Sequence, residues 1–336
     1  VSVRLCQDTS FGVENMTGCS KRVKDQRFIG FDIGGTKMLA VLADGERKVL
    51  DCLISSTRVR DGPVGVLEDI SSQASALAAK VGLRSEDLDG LAVAFAGLCD
   101  PHSGVILEAP NLPGWVDYPL YETLRSIFEI PIGVANDVDM AALAESRDGV
   151  GKNASNMLFV SVGTGIGGGL VLQGNLYQGW SGLAGEFGHI VISSEAFLCA
   201  CGRMGCLEAM ASGSALESMA RERIRRGEHS ELTQLVHGKI DDITARSIFE
   251  AAVNKDPLAN SIIRFGAQAL GIGLVNLVHM FNPELIVIGG GIASQWETYV
   301  EVAVNEMNTR AFPSALKGVT VSRSSIGEVA SAIGGI

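Results

Sequence analysis

The sequence predicts an α/β protein of two lobes. Short apolar strands alternate with segments of helical spacing along the whole chain, which favours sheets covered by helices. The order strand, glycine loop, hairpin occurs twice, at 28-FIGFDIGG followed by 37-KMLAVLADGERKVLDCLIS and at 157-MLFVSVG followed by 163-GTGIGGG and 169-GLVLQGNLYQG. With 336 residues, 46% hydrophobic and 19% charged, the chain is long enough for two cores.

Residues 1–27 show no periodicity, end in the charged run 21-KRVKDQR, and read as a flexible tail. Order is expected from Phe28. The first strand runs into glycines, and the next two flank an Asp-Gly turn. Residues 63–82 carry apolar side chains at helical spacing, 90-GLAVAFAG is a buried strand, and a helix at 120–128 leads into the strand 131-PIGVAND. Beyond the second glycine loop come helices at 206–227, 244–253 and 257–282, the strand 285-LIVIGGG, a helix near 295–308 and a last strand, 319-VTVSRSS. The expected division is a lobe over 28–136, completed by 319–336, and a second lobe over 137–318.

A net charge of −11 gives no general attraction to nucleic acid or to anionic lipid. No apolar run is expected to reach the roughly 18 residues that a spanning helix needs, and the N-terminus lacks the apolar core of a secretion signal. A cytoplasmic, reducing setting is therefore expected, in which clustered cysteines read as metal ligands rather than bridges. Cys6, Cys19, Cys52 and Cys99 are scattered and read as free thiols.

Glycines let backbone approach a ligand closely and turn its N–H groups onto phosphate oxygens. Asp32, Gly34, Gly35, Thr36 and Lys37 form one candidate loop; Gly163, Thr164 and Gly165 form a second. Gly289, Gly290 and Gly291 form a third, suited to a nucleoside. Each alone is also what any strand-ending turn requires. The spacing 163-GTGIGG matches GxGxxG, but a strand rather than a helix follows, which argues against a dinucleotide fingerprint. Between the loops, Asn136-Asp137 ends a strand and opens a helix. These two residues read either as a helix cap or as a catalytic pair, with Asp137 the general base and Asn136 holding the acceptor. Asp32 is a candidate partner for Mg²⁺.

His189, Cys199, Cys201 and Cys206 offer one imidazole and three thiols, the set of a closed, structural zinc site. Glu186 and Glu208 flank these ligands. They read either as solvated charges or as carboxylates that, beside the free nitrogen of a metal-bound imidazole, would clamp a polyol.

In this order and at these separations, DIGGTK, PNLPGW, ND, GTGIGGG, GEFGH and CACGRMGCLE resemble the ROK family (repressor, open reading frame, kinase), which includes bacterial glucokinases and N-acetylhexosamine kinases. The resemblance runs from Phe28 to the C-terminus. It implies the actin-like ATPase fold of two ribonuclease H-like lobes with a cleft between them, usually as a homodimer or homotetramer. It also implies Asp137 as base for a sugar's 6-hydroxyl, with Asn111, Asn136, Asp137, Glu186, His189 and Glu208 binding sugar hydroxyls. ATP would lie on the three glycine loops with Mg²⁺, beside a structural Zn²⁺. Glucose is the first-choice hexose, with N-acetylmannosamine and N-acetylglucosamine as alternatives. The turn 94-AFAGLCD departs from the proline-containing turn usual in the family. Some members are sugar-responsive repressors carrying a winged helix–turn–helix ahead of the first strand; the 27 residues before Phe28 are too few for one, so no nucleic-acid partner is expected, and a repressor is the alternative if the chain is an N-terminal truncation.

Overall fold

The computed structural model describes residues 22–194 and 197–336. Residues 1–21, with Cys6 and Cys19, lie outside the described residues. Of the tail expected over residues 1–27, the described part is ordered: Val23–Asp25 form a 3-10 turn and Arg27 already opens the first strand, its backbone N–H donating to Asp89 Oδ2 at 2.8 Å.

The first sheet has the order β3-β2-β1-β4-β8, from β1 (Arg27–Ile33), β2 (Lys37–Asp44), β3 (Val49–Ser56), β4 (Gly90–Phe95) and β8 (Ile132–Asn136). The first three strands form an antiparallel meander, whereas β4 and β8 run parallel to β1. Helix α1 (Gly62–Lys80) connects β3 to β4, with Pro63 in its first turn, where a missing N–H costs nothing. A small sheet of β5 (Leu98–Cys99), β6 (Ile106–Glu108) and β7 (Val116–Tyr118), followed by α2 (Leu120–Ile127), lies between β4 and β8. Alternation along β1 sends Ile29, Phe31 and Ile33 into a core with Val66, Ile70 and Leu77 of α1. The opposite face carries Gly30 and Asp32 and is covered by α3 (Asp137–Asp148) and α11 (Ala330–Gly334), which pack on each other. That approach leaves no room for a side chain at Gly334, where a Cβ would stand 1.8 Å from the Met140 carbonyl oxygen.

The second sheet repeats this order as β11-β10-β9-β12-β13, from β9 (Met157–Val162), β10 (Ile166–Leu172), β11 (Asn175–Leu176), β12 (Leu285–Gly289) and β13 (Thr320–Arg323). Strands β12 and β9, and β12 and β13, are parallel, as β1, β4 and β8 are. The duplication expected from the glycine loops is therefore a duplication of topology. Helices α4 (Glu208–Ala211), α5 (Gly213–Arg225), α6 (Leu232–Leu235), α7 (Ala245–Val253) and α8 (Pro257–Phe281) precede β12; α9 (Glu301–Arg310) and α10 (Pro313–Leu316) follow it. Ser212, Thr244 and Asp256 cap α5, α7 and α8 through their side-chain oxygens. The helix expected near 295–308 starts as a π-helical turn, Trp296–Val300, before α9. Contrary to the expectation that no apolar run reaches membrane-spanning length, helix α8, with a mean hydropathy of 1.5, is long and apolar enough to cross a membrane, but 67% of that stretch is buried inside the structure. It packs on α4, α5, α7 and α9.

The chain divides into one unit of residues 1–153, 169–185 and 325–336 and another of 154–168 and 186–324. The boundary expected after Asn136 is thus displaced, because α3 belongs to the first unit. Its Glu145 is fully buried and accepts hydrogen bonds from the backbone N–H groups of Val150, Ser325 and Ile326 and from Ser325 Oγ. Residues 169–185 join the same unit: Gly169 abuts Val138 and Ala142, and Gln178 Nε2 donates to Asp139 Oδ2 at 2.8 Å. Strand β13 stays with the second unit through its pairing to β12, so the C-terminal contribution to the first begins at Ser325 rather than at 319.

Glu145→Ala would strand three backbone donors around a buried gap. We expect a loss of roughly 2–4 kcal/mol in urea unfolding, with hydrogen exchange quickening first at Ser325 and Ile326.

Candidate functional site

In the first unit, the parallel register aligns Ile33 of β1 with Phe95 of β4, and Phe95 with Asn136 of β8. Asp32 and Asp137 thereby stand at the carboxyl ends of two parallel strands with one strand between them, the edge at which open α/β sheets bind ligands. Asn136 does cap α3: its Oδ1 accepts from the N–H groups of Val138 and Asp139 at 2.9 and 3.1 Å. Its Nδ2 also donates to the Gly97 carbonyl at 3.0 Å, tying the turn 94-AFAGLCD to the start of the helix. Asp137 follows as the first helical residue, so its direction is set by a cap fastened at both ends.

Both carboxylates are energetically strained toward protonation. Burial, and next the charge of Asp137, push Asp32 up to about 7 from an ordinary 3.8, with Lys37 acting in the opposite sense. Asp137 keeps a half-buried side chain, yet the surrounding protein desolvates it and raises its pKa, against the pull of the backbone N–H groups of Val138 and Asp137.

The first glycine loop closes β1 onto β2, with the Gly34 N–H donating to the Lys37 carbonyl at 3.0 Å. Thr57, just past β3, clamps it: the Thr57 N–H donates to the Thr36 carbonyl at 3.1 Å and its Oγ1 to the Gly34 carbonyl at 2.7 Å. Nothing in the sequence marks Thr57, because the contact exists only once the meander has formed. Asn111 lies against this loop, its Cβ 2.9 Å from where Gly35 would carry one. Trp115, four residues on, fixes that segment by burying its indole between Phe95 and Tyr118, at centroid distances of 4.6 and 4.7 Å.

In the second unit, the loop after β9 is held by the start of α5. The Gly213 N–H donates to the Gly163 carbonyl at 2.8 Å, while Ser214 donates to the Thr164 carbonyl through its N–H at 3.2 Å and its Oγ at 2.8 Å. Gly291 lies beside Gly163, so the second and third glycine clusters are neighbours. Gly213 and Ser214 are functional candidates that the spacing of glycines alone does not reveal.

The four expected metal ligands come together, with all their ligand atoms within 4.8 Å of one another. A tetrahedral zinc ion with bonds of about 2.3 Å to sulfur and 2.0–2.1 Å to nitrogen separates its ligands by about 3.5–3.8 Å. Cys201 Sγ and Cys206 Sγ are 3.8 Å apart, and Cys199 Sγ lies 3.7 Å from His189 Nδ1. The thiols also shift one another's ionisation, in opposite directions. Burial pushes Cys199 up to about 12 and raises Cys206, whereas Cys201 falls to about 7 because the Arg203 backbone N–H and the adjoining thiols outweigh burial. Three thiolates this close require a cation, and the residues fit zinc. With Nδ1 facing the thiols, His189 turns Nε2 toward Glu186 Oε2, 3.9 Å away.

Glu208 opens α4 two residues after Cys206. Its Oε2 accepts the Ile166 N–H at 2.8 Å, and its Oε1 lies 3.8 Å from Cys199 Sγ. A Cβ on Gly165 would stand 2.5 Å from that carboxylate, so glycine there is a steric requirement. Of the six residues expected to bind sugar hydroxyls, Asn111, Asn136 and Asp137 lie in the first unit, and Glu186, His189 and Glu208 in the second.

Residues 28–336 match the model of the ROK family. A glucokinase of Halalkalibacterium halodurans is 33% identical over 93% of this chain and 94% of its own. The structure of a ROK family glucokinase from Streptomyces griseus in complex with glucose and AMPPNP superposes with a TM-score of 0.79 at 30% identity, covering 92% of this chain and 97% of that one. A ROK family transcriptional regulator, a homologue of the E. coli MLC protein, gives the same TM-score at 27% identity, covering 92% of this chain and 76% of the regulator.

Because the folded state raises the pKa of Asp32, the stability linked to that group is present below pH 4 and lost as pH rises through 7. Asp32→Asn should therefore be more stable than the parent, by an increment growing from near zero at pH 4 to roughly 2–4 kcal/mol at pH 8 in denaturant titrations. Metal analysis should find about one zinc per chain, and Cys201→Ser should lower both metal content and Tm. The chain belongs to the ROK family, with the actin-like ATPase fold of its sugar kinases.

Proposed function

We propose that this chain is a hexose kinase, transferring the γ-phosphoryl group of ATP to the 6-hydroxyl of a sugar, glucose before the N-acetylhexosamines. The observation that carries the reading is Asp137, a desolvated carboxylate at a strand end, capped by Asn136 and one strand away from Asp32, in a chain 33% identical to a glucokinase over nearly its whole length. A raised pKa brings a general base closer to the pH at which it works, while its ionised form still accepts the hydroxyl proton.

In this reading Asp137 takes that proton. Asn111, Asn136, Glu186, His189 and Glu208 hold the other hydroxyls and fix the acceptor in line. Asp32 and the loop Gly34, Gly35, Thr36 and Lys37 serve the phosphates, as do Gly163, Thr164 and Gly165. Gly289, Gly290 and Gly291 flank the nucleoside. Asp32 is the protein's ligand toward Mg²⁺, directly or through water, and ionises to take that part. His189, Cys199, Cys201 and Cys206 hold zinc, which when bound supplies a rigid brace with no open coordination position. That brace orients the His189 ring so that Nε2 faces Glu186, and the Glu208 carboxylate carries its position on to the loop at Ile166.

Asp137→Asn keeps the shape and removes the base. Turnover of glucose with Mg-ATP should fall about 10³-fold, while sugar affinity by calorimetry stays within a few-fold. Near-parental turnover would defeat the assignment. A coupled assay comparing glucose, N-acetylmannosamine and N-acetylglucosamine decides the acceptor, and turnover with none of them would favour the regulator-like relatives.

A further inference from the structure

We propose that Glu328 is the resting counter-ion of Lys37 and gives the lysine up to a nucleotide phosphate when the first glycine loop is filled; the proposal rests on the reading of residues 32–37 as a phosphate loop. Lys37 ends that loop and opens β2, and its Nζ lies 2.9 Å from Glu328 Oε2, a partner 291 residues away. The acid is delivered with precision. It sits in a single 3-10 turn, Gly327–Val329, between Ser325–Ile326, fastened by the buried Glu145, and α11, packed against β1, β2 and α3.

Stability is a poor reason for the pair. The two side chains remain 42% and 78% exposed, and ion pairs so open to water contribute little to folding. They are also easily exchanged. A lysine carries three donors on a flexible stem and can change partners without moving backbone. The surroundings give it cause, since Asp32 and Asp137 add two carboxylates near a loop that must accept an anion. With the loop empty, Glu328 holds Lys37. With phosphate present, the ammonium turns to the stronger acceptor, and Glu328 becomes a competitor whose hold every binding event must break.

The test is calorimetric titration of a non-hydrolysable ATP analogue with Mg²⁺ into the full chain, using the parent, Glu328→Gln, Lys37→Met and the double variant. Glu328→Gln should bind about two- to fivefold more tightly, the amount an exposed ion pair is worth. That gain should shrink at 0.5 M KCl and vanish in the Lys37→Met background. Unchanged or weaker binding by Glu328→Gln overturns the exchange, as does an equal gain with and without Lys37, which would be a general charge effect. If Lys37→Met binds nucleotide like the parent, the phosphate-loop reading of Lys37 fails and takes this proposal with it. If Lys37→Met weakens binding but Glu328→Gln brings no gain, that reading stands and only the exchange is lost.

Discussion

The fold depends on one repeated constraint: an antiparallel hairpin whose first strand then pairs in parallel with the strands that follow. In each sheet this leaves the hairpin loop at the same edge as the carboxyl ends of the parallel strands. Glycines gather there because backbone must turn and still be approached. Chemistry gathers there because strand ends are where side chains leave the ladder without losing its support. The first sheet places Asp32, Asn136 and Asp137 on that edge, and the second places Gly163 beside Gly291.

Putting two carboxylates at such an edge has a cost that folding alone does not recover. Burial, and next the charge of Asp137, hold Asp32 up to about 7, so its ionisation is disfavoured relative to an ordinary aspartate. The scaffold tolerates this because other buried acids are satisfied: Glu145 accepts from three backbone donors and a hydroxyl, and Asp139 accepts from Gln178. Two desolvated carboxylates side by side at a strand edge, in a frame that satisfies buried acids such as Glu145 and Asp139, are the kind of perturbation that clusters at functional sites.

In the second unit Glu208 does what neither neighbouring motif can do alone. One oxygen holds the backbone of the glycine loop at Ile166 and the other faces the thiol of Cys199, so the geometry of the metal knuckle and of the loop is set together. A change at the ligands is therefore transmitted to the loop by a single side chain. A structural ion held by these ligands would thereby matter to the proposed reaction without taking a direct part in it.

The local patterns were legible in the amino-acid sequence. Alternating apolar residues gave the strands, and the spacing of His189, Cys199, Cys201 and Cys206 gave the knuckle. Strand-ending Asn136 and Asp137 supported a cap and a base, and the structure shows the first of these directly. Such signals lie within one short stretch of chain, where local geometry does much to decide who can meet. What tertiary structure decided spans far longer separations: Thr57 on Gly34, Glu208 on Ile166, Glu145 on Ser325, Lys37 on Glu328. It also decided that α3 belongs with the first sheet and β13 with the second. No periodicity encodes such pairings, because they come from which strands lie adjacent once the sheets have formed, and a residue's own neighbours in sequence carry no trace of that choice.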